Sequence, residues 1–164
     1  MTATNGEKLK NNMSKKLITV LWNDDLLTAM LKMKNARIRH LPVIDQMGEV
    51  LGILSHRDIP IDGSDEDYAM EIVRDYMSTP VHSVEFNANL VDVAKQMIDK
   101  KISSLLVQDN NEVVGIVTHE DLLKALVHIL EKPPVTDRLL GKMVEFNYNS
   151  PVGQVVNALA EMGI

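Results

Sequence analysis

The segment Gly52-Ile-Leu-Ser-His-Arg-Asp58 recurs 63 positions later as Gly115-Ile-Val-Thr-His-Glu-Asp121, and most of the chain between the copies recurs with it. Each copy runs glycine, two aliphatics, a hydroxyl residue, histidine, one variable position and aspartate. An apolar run that stops at Ser or Thr, with Asp three residues on, predicts a buried strand turning into a helix start. Such a turn leaves backbone N–H groups able to meet an anion. An ionised aspartate beside it can accept both hydroxyls of a ribose. A helix cap is enough to explain one copy. Two copies in equivalent places of a repeat favour a ligand site in each.

The remainder of the repeat can be followed in order. Ile18 to Leu21 is a short strand, and Asn23-Asp24-Asp25 offers caps and first-turn negative charge to a helix. Leu26, Ala29, Met30 and Met33 form that helix's apolar face, through about Lys34. Ile38 to Asp45 is a strand with Pro42 near its start, and Val50 to Leu54 is a strand buried on both faces. The pattern restarts after Tyr68 to Met77, which has a helical tendency. His82 to Phe86 is a strand, Asn89 a cap, and Leu90, Val93, Ala94 and Met97 repeat the first helix face at an offset of 64. Ile102 matches Ile38, Ser104 to Asp109 matches His40 to Asp45, and Glu112 to Val117 is the second buried strand. From Thr118 a helix runs to about Lys132, where Pro133-Pro134 stops it. The unit is strand, helix, strand, strand, helix. One copy is marginal alone, since units below about 60 residues bury too little surface.

Composition limits the function classes. A net charge of -6 over 164 residues argues against a general nucleic-acid binder. The acid is concentrated in Asp62, Asp65, Glu66 and Asp67, expected to be a solvated connecting loop. The chain has no cysteine, which removes disulfides and thiolate chemistry. Aromatics are only 4%, so Leu, Ile, Val, Met and Ala must build the core, with the methionines as core filler. No apolar run nears the roughly 18 residues of a membrane span, and residues 1–16 are polar and basic with no signal-type apolar stretch. A cytoplasmic protein with no membrane association is expected. Residues 1–12 are expected to be a disordered lead-in.

Residues Ile38 to Asp45 with Gly52 to Asp58, and Ile102 to Asp109 with Gly115 to Asp121, resemble the cystathionine β-synthase (CBS) domain as a tandem pair, or Bateman module. The resemblance covers Met13 to Ile61 and Val73 to Leu130. It implies an α+β fold of two small three-stranded sheets packed with helices about a pseudo-twofold, with two clefts that take adenine nucleotides or S-adenosylmethionine-like ligands. It divides the chain into repeat 1 over 13–67, including the acidic loop, and repeat 2 over 68–132. By the same resemblance, the first cleft uses Ser55 and Asp58 on the ribose and His56, Arg57, Arg39 or His40 near phosphate. The backbone of Lys16 to Thr19 and Ile38 to His40 holds the base. The second uses Thr118 and Asp121 on the ribose, His119 near phosphate, and backbone at Thr79 to Val81 and Ile102 to Ser104. The copies differ: Arg39-His40 and Arg57 of the first become Ser103-Ser104 and Glu120 in the second. Serine cannot replace the charge of arginine at a phosphate. The second cleft is therefore expected to suit a weakly charged adenosine compound, or none.

The implied function is regulatory: ligand binding alters dimer or partner contacts, with a regulated protein acting in trans. The resemblance extends to small stand-alone CBS proteins, including the acetoin-utilisation type. An enzyme is not expected. The five histidines form no local metal pattern, there is no Walker loop, and no metal or catalytic cofactor is implied. The alternative is a purely structural dimerisation module in which both aspartates serve only as caps. The tail, 133–164, adds Val135-Thr-Asp-Arg-Leu139, an echo of Val73-Arg-Asp-Tyr-Met77, then Val144-Glu-Phe-Asn147, an echo of Val84-Glu-Phe-Asn87. Ser150-Pro151 and the face Val152, Val155, Val156, Leu159 and Met162 read as a helix. This is expected to be the opening of a third repeat, or else the start of an ACT-type domain or a generic amphipathic dimerisation helix, and to cover a homodimer contact.

Overall fold

Asp25 and Asn89 set the frame of the two repeats, each as the N-cap of an 11-residue helix. The computed structural model of the protein describes residues 9–131, with side chains through His128. The tail beyond Glu131, with its expected third repeat opening and dimer helix, lies outside the described residues. Within them the chain forms two units, one of residues 16–82 and one joining residues 9–15 to 83–131.

In the first unit, β1 (Val20–Leu21) runs parallel to β2 (His40–Ile44), which pairs antiparallel with β3 (Val50–Ser55). Between β1 and β2 lies α1 (Leu26–Ala36), capped by Asp25, whose carboxylate accepts from the Thr28 N–H at 2.6 Å. Arg37 ends it in the left-handed region, its N–H reaching the Lys34 and Met33 carbonyls. Of the expected helix face, Leu26, Ala29 and Met33 are buried with Val20, Leu41, Val43 and Leu54, and Met30 is half-buried against them. Each fully buried aliphatic contributes about 1.5–3 kcal/mol.

The acidic segment is not a plain loop. Ser64 caps α2 (Asp65–Met70), donating through N–H and Oγ to Asp67 Oδ2 and accepting from the Asp67 N–H. Asp65, Glu66 and Asp67 lie in its first turn, where negative charge complements the exposed N–H groups. Tyr68 anchors the helix in the first core. Its hydroxyl donates to the Pro60 carbonyl and accepts from the Gly63 N–H. The expected boundary between 67 and 68 therefore falls inside α2, and the first unit runs on to His82.

The second unit repeats the plan with β4 (Ser83–Glu85), α3 (Leu90–Lys100), β5 (Ser104–Asp109), β6 (Glu112–Thr118) and α4 (His119–Glu131). β4 is parallel to β5, and β5 antiparallel to β6. Asn89 caps α3 through the Val91 and Asp92 N–H groups, and Lys101 closes it in the left-handed region as Arg37 does for α1. Leu90, Val93, Ala94 and Met97 are buried against Leu105, Val107, Val117 and Leu122. The α+β plan of two three-stranded sheets with helices is the one anticipated.

Residues 9–12 correct the expectation of a disordered lead-in. Leu9–Asn11 is a 3-10 turn, and Leu9 is fully buried in the second core with its N–H on the Ala88 carbonyl at 3.3 Å. Ser14 then pairs with Ile116 of β6 through both backbone groups. The first unit holds the same device 64 positions on. Val73–Asp75 is a 3-10 turn, Val73 is fully buried, and its N–H meets the Asp24 carbonyl at 2.9 Å. Ser78 pairs with Ile53 of β3. The segment leading into each repeat is thus seated on the sheet of the other. The motif glycines make room for it: a methyl group on Gly115 would stand 2.7 Å from the Ser14 carbonyl oxygen.

Candidate functional site

In the first unit, β2 begins where β3 ends. His40 pairs with Ser55, and the His56 N–H donates to the Arg39 carbonyl at 2.9 Å. Because β1 runs parallel to β2, Lys16 to Thr19 enter the sheet at this same end. One sheet end therefore gathers the nine expected residues Lys16, Thr19, Ile38, Arg39, His40, Ser55, His56, Arg57 and Asp58. His56 and Arg57 are exposed and Asp58 is half-buried.

The second unit repeats the arrangement. Ser104 pairs with Thr118, and the His119 N–H donates to the Ser103 carbonyl at 3.2 Å. Ile102, Ser103, Ser104, Thr118, His119 and Asp121 share the corresponding sheet end. Thr79 and Val81, the other two residues expected at the second cleft, belong to the first unit.

Both aspartates act as caps, and both do so through one oxygen. Asp58 Oδ2 accepts from the Ser55 N–H at 2.7 Å, and Ser55 Oγ accepts from the Arg57 N–H at 3.2 Å. Asp121 Oδ2 accepts from the Thr118 N–H and the Thr118 hydroxyl, each at 2.8 Å. A carboxylate has about four lone-pair sites, so capping leaves acceptor capacity at Oδ1. The hydroxyls differ: Thr118 spends its proton on Asp121, whereas the bond recorded for Ser55 Oγ is one it accepts.

Two side chains at the strand entries were not anticipated. Lys32 of α1 donates to the Thr19 carbonyl at 3.2 Å and to Asp24 Oδ2 at 3.3 Å. Gln96 of α3, 64 positions on, donates to the Ser83 carbonyl at 3.3 Å. The repetition marks a strap from helix to strand entry, and in the first unit it engages the Thr19 carbonyl, one expected to face a base. The Ile38 and Ile102 N–H groups close the helix ends on the Met33 and Met97 carbonyls, both at 3.0 Å. Each isoleucine N–H is thereby committed to its own helix end.

The sequence profile of the CBS domain matches residues 8–59 and 73–128. The chain belongs to the CBS domain family. It is 36% identical over 98 residues to an uncharacterized protein of Methanopyrus kandleri, covering 57% of this chain and about half, 49%, of that one. A CBS domain-containing protein of Dictyostelium discoideum is 30% identical over 138 residues, covering 77% of this chain and 95% of its own. The crystal structure of the CBS domain pair of protein MJ0100, in complex with 5'-methylthioadenosine and S-adenosyl-L-methionine, is 28% identical with a TM-score of 0.66. It covers 76% of this chain and 98% of that one. The profile's start at residue 8 agrees with Leu9 being part of the fold. Among the described residues of this CBS pair, no three His, Asp or Glu side chains could hold a metal ion together. No helix among them is long and apolar enough to cross a membrane.

Proposed function

We propose that this CBS pair is a non-catalytic regulatory module that binds an adenosine-type ligand and passes its occupancy to a dimer contact or to a protein partner in trans. One observation carries the reading. Each sheet end places an aspartate, a hydroxyl residue and a histidine beside the entry of the neighbouring strand, and it does so twice. The adenosine compounds held by the MJ0100 pair support the ligand class. An aspartate accepts a ribose diol.

The two ends suit different ligands. Arg39, His40 and Arg57 give the first a cationic rim for phosphate, with arginine capable of bidentate contact. Ser103, Ser104 and Glu120 give the second no such charge, which favours a weakly charged adenosine compound there. The described cap bonds also fit a second reading, a dimerisation module whose aspartates only stabilise turns. A thermal-shift panel of ATP, ADP, AMP, S-adenosylmethionine and 5'-methylthioadenosine separates the two. A binder gains about 2.7 kcal/mol at a hundredfold excess over Kd, and a scaffold does not move. Absence of any shift across the panel overturns the ligand reading.

A further inference from the structure

Each described unit has one dock for a lead-in segment, and both docks are filled. The first is occupied by Val73 to Ser78 and the second by Leu9 to Ser14, with matching contacts. A buried aliphatic places its N–H on a carbonyl before the helix, Asp24 or Ala88. A serine five residues on pairs with the residue after the motif glycine, Ile53 or Ile116. Met77 or Met13 packs across that glycine. The required pattern is therefore an aliphatic residue, three polar or amphipathic positions and a long apolar side chain. Leu9-Lys-Asn-Asn-Met13 and Val73-Arg-Asp-Tyr-Met77 both have it.

The chain carries a third copy of this pattern, Val135-Thr-Asp-Arg-Leu139, for which the described fold has no vacant dock. Its place in the chain is informative. Val73 follows the motif aspartate Asp58 by 15 positions and docks on the repeat that precedes it. Val135 follows Asp121 by 14 positions. The dock on that preceding repeat is the one Leu9 to Ser14 holds.

We infer that residues 135–140 are an alternative occupant of the second dock, competing with residues 9–14 for the Ala88 carbonyl and the edge of β6. The dock contacts are mainly backbone hydrogen bonds plus two apolar side chains, so Leu140 in place of serine is no obstacle. Ile116 lies two residues before Thr118, so an exchange of occupants bears directly on the Thr118–Asp121 sheet end. The inference needs no ligand and stands apart from the proposed function.

The test uses the full chain, which lacks cysteine and so permits clean disulfide trapping. Ala88→Cys with Val135→Cys is oxidised in the wild-type and Leu9→Asp backgrounds, with Lys100→Cys, at the far end of α3, and Val135→Cys as a remote control. The expected result is trapping at 88–135 well above the control, increased by Leu9→Asp. The trapped product is expected as a shifted monomer band, the segment of the same chain; trapping found only in a dimer band overturns that assignment. In parallel, Val135→Asp with Leu139→Asp is expected to lower Tm much more in the Leu9→Asp background than in wild type. Leu9→Ala provides the same comparison in a milder background. Equal Tm shifts in all backgrounds, with trapping no faster than the control, overturn the inference.

Discussion

Met77 occupies the space that a side chain on Gly52 would need: a methyl group there would stand 2.6 Å from Met77 Sδ and 3.1 Å from the Ser78 carbonyl oxygen. Gly115 bears the same relation to Met13, at 2.6 Å, but with the Ser14 carbonyl closer, at 2.7 Å. A thioether can swing aside, whereas a paired backbone carbonyl cannot move without breaking its bonds. Gly115→Ala is therefore expected to destabilise more than Gly52→Ala, by about 1–3 kcal/mol. Thermal melts of the two variants check this; equal Tm values would remove the idea that the crossing backbone requires the glycine.

Asp58 joins two roles that one substitution can separate. Asp58→Asn keeps an amide oxygen for the Ser55 N–H but loses the charge offered to a ribose. It should melt close to wild type while weakening adenosine-ligand affinity by about 1.5–3 kcal/mol, the value of hydrogen bonds to a charged group. Asp58→Ala should lose that affinity and also about 1 kcal/mol of stability with the cap. Calorimetry beside thermal melts checks both; an Asn variant that binds normally would leave Asp58 a cap only.

Arg39→Ala tests the difference between the two sheet ends. Affinity for ATP or AMP should fall at least tenfold, and its dependence on salt should flatten, because partly exposed charge contacts are screened. Affinity for 5'-methylthioadenosine, which carries no phosphate, should hardly change. Titrations at low and high salt distinguish this from two equal sites indifferent to Arg39.

Acid should loosen two helix starts. Burial would raise the Asp25 carboxyl, but hydrogen bonds from the Thr28 N–H and hydroxyl outweigh it and hold the group below the usual 3.8. The Ser64 N–H and hydroxyl hold Asp67 below 3.8 in the same way. A carboxyl lowered on folding stabilises the fold fully above its unfolded value, and that contribution disappears as pH falls through the lowered folded value. Urea melts at pH 7 and pH 3 should therefore show a smaller acid loss for Asp25→Asn and Asp67→Asn than for wild type. An identical loss would mean that neither cap is linked to the proton.

The helix faces, the positions of the strands and the two glycine-to-aspartate segments were legible because each depends on local spacing; β3 is nevertheless buried on one face only, with Gly52 and Leu54 inside and Leu51 exposed, not on both as its unbroken apolar run suggested. Leu26, Ala29 and Met33 fall on one side of any helix, and Ser55 or Thr118 can cap a turn whatever surrounds it. Ser64 was the same kind of signal, yet its acidic neighbours suggested a solvated loop. What makes α2 part of the first core is Tyr68, held by Pro60 and Gly63, and that contact is tertiary.

Sequence alone determined the duplication, its register and the chemical difference between Arg39-His40 and Ser103-Ser104, since side-chain identity and period survive without any fold. Only the tertiary structure decided that Leu9 is core, because one leucine among lysines and asparagines has no amphipathic period, and its partner Ala88 lies 79 positions away. The same holds for Lys32 and Gln96. Their place on a helix follows from spacing, but the Thr19 and Ser83 carbonyls they engage are set by how each helix lies on its sheet.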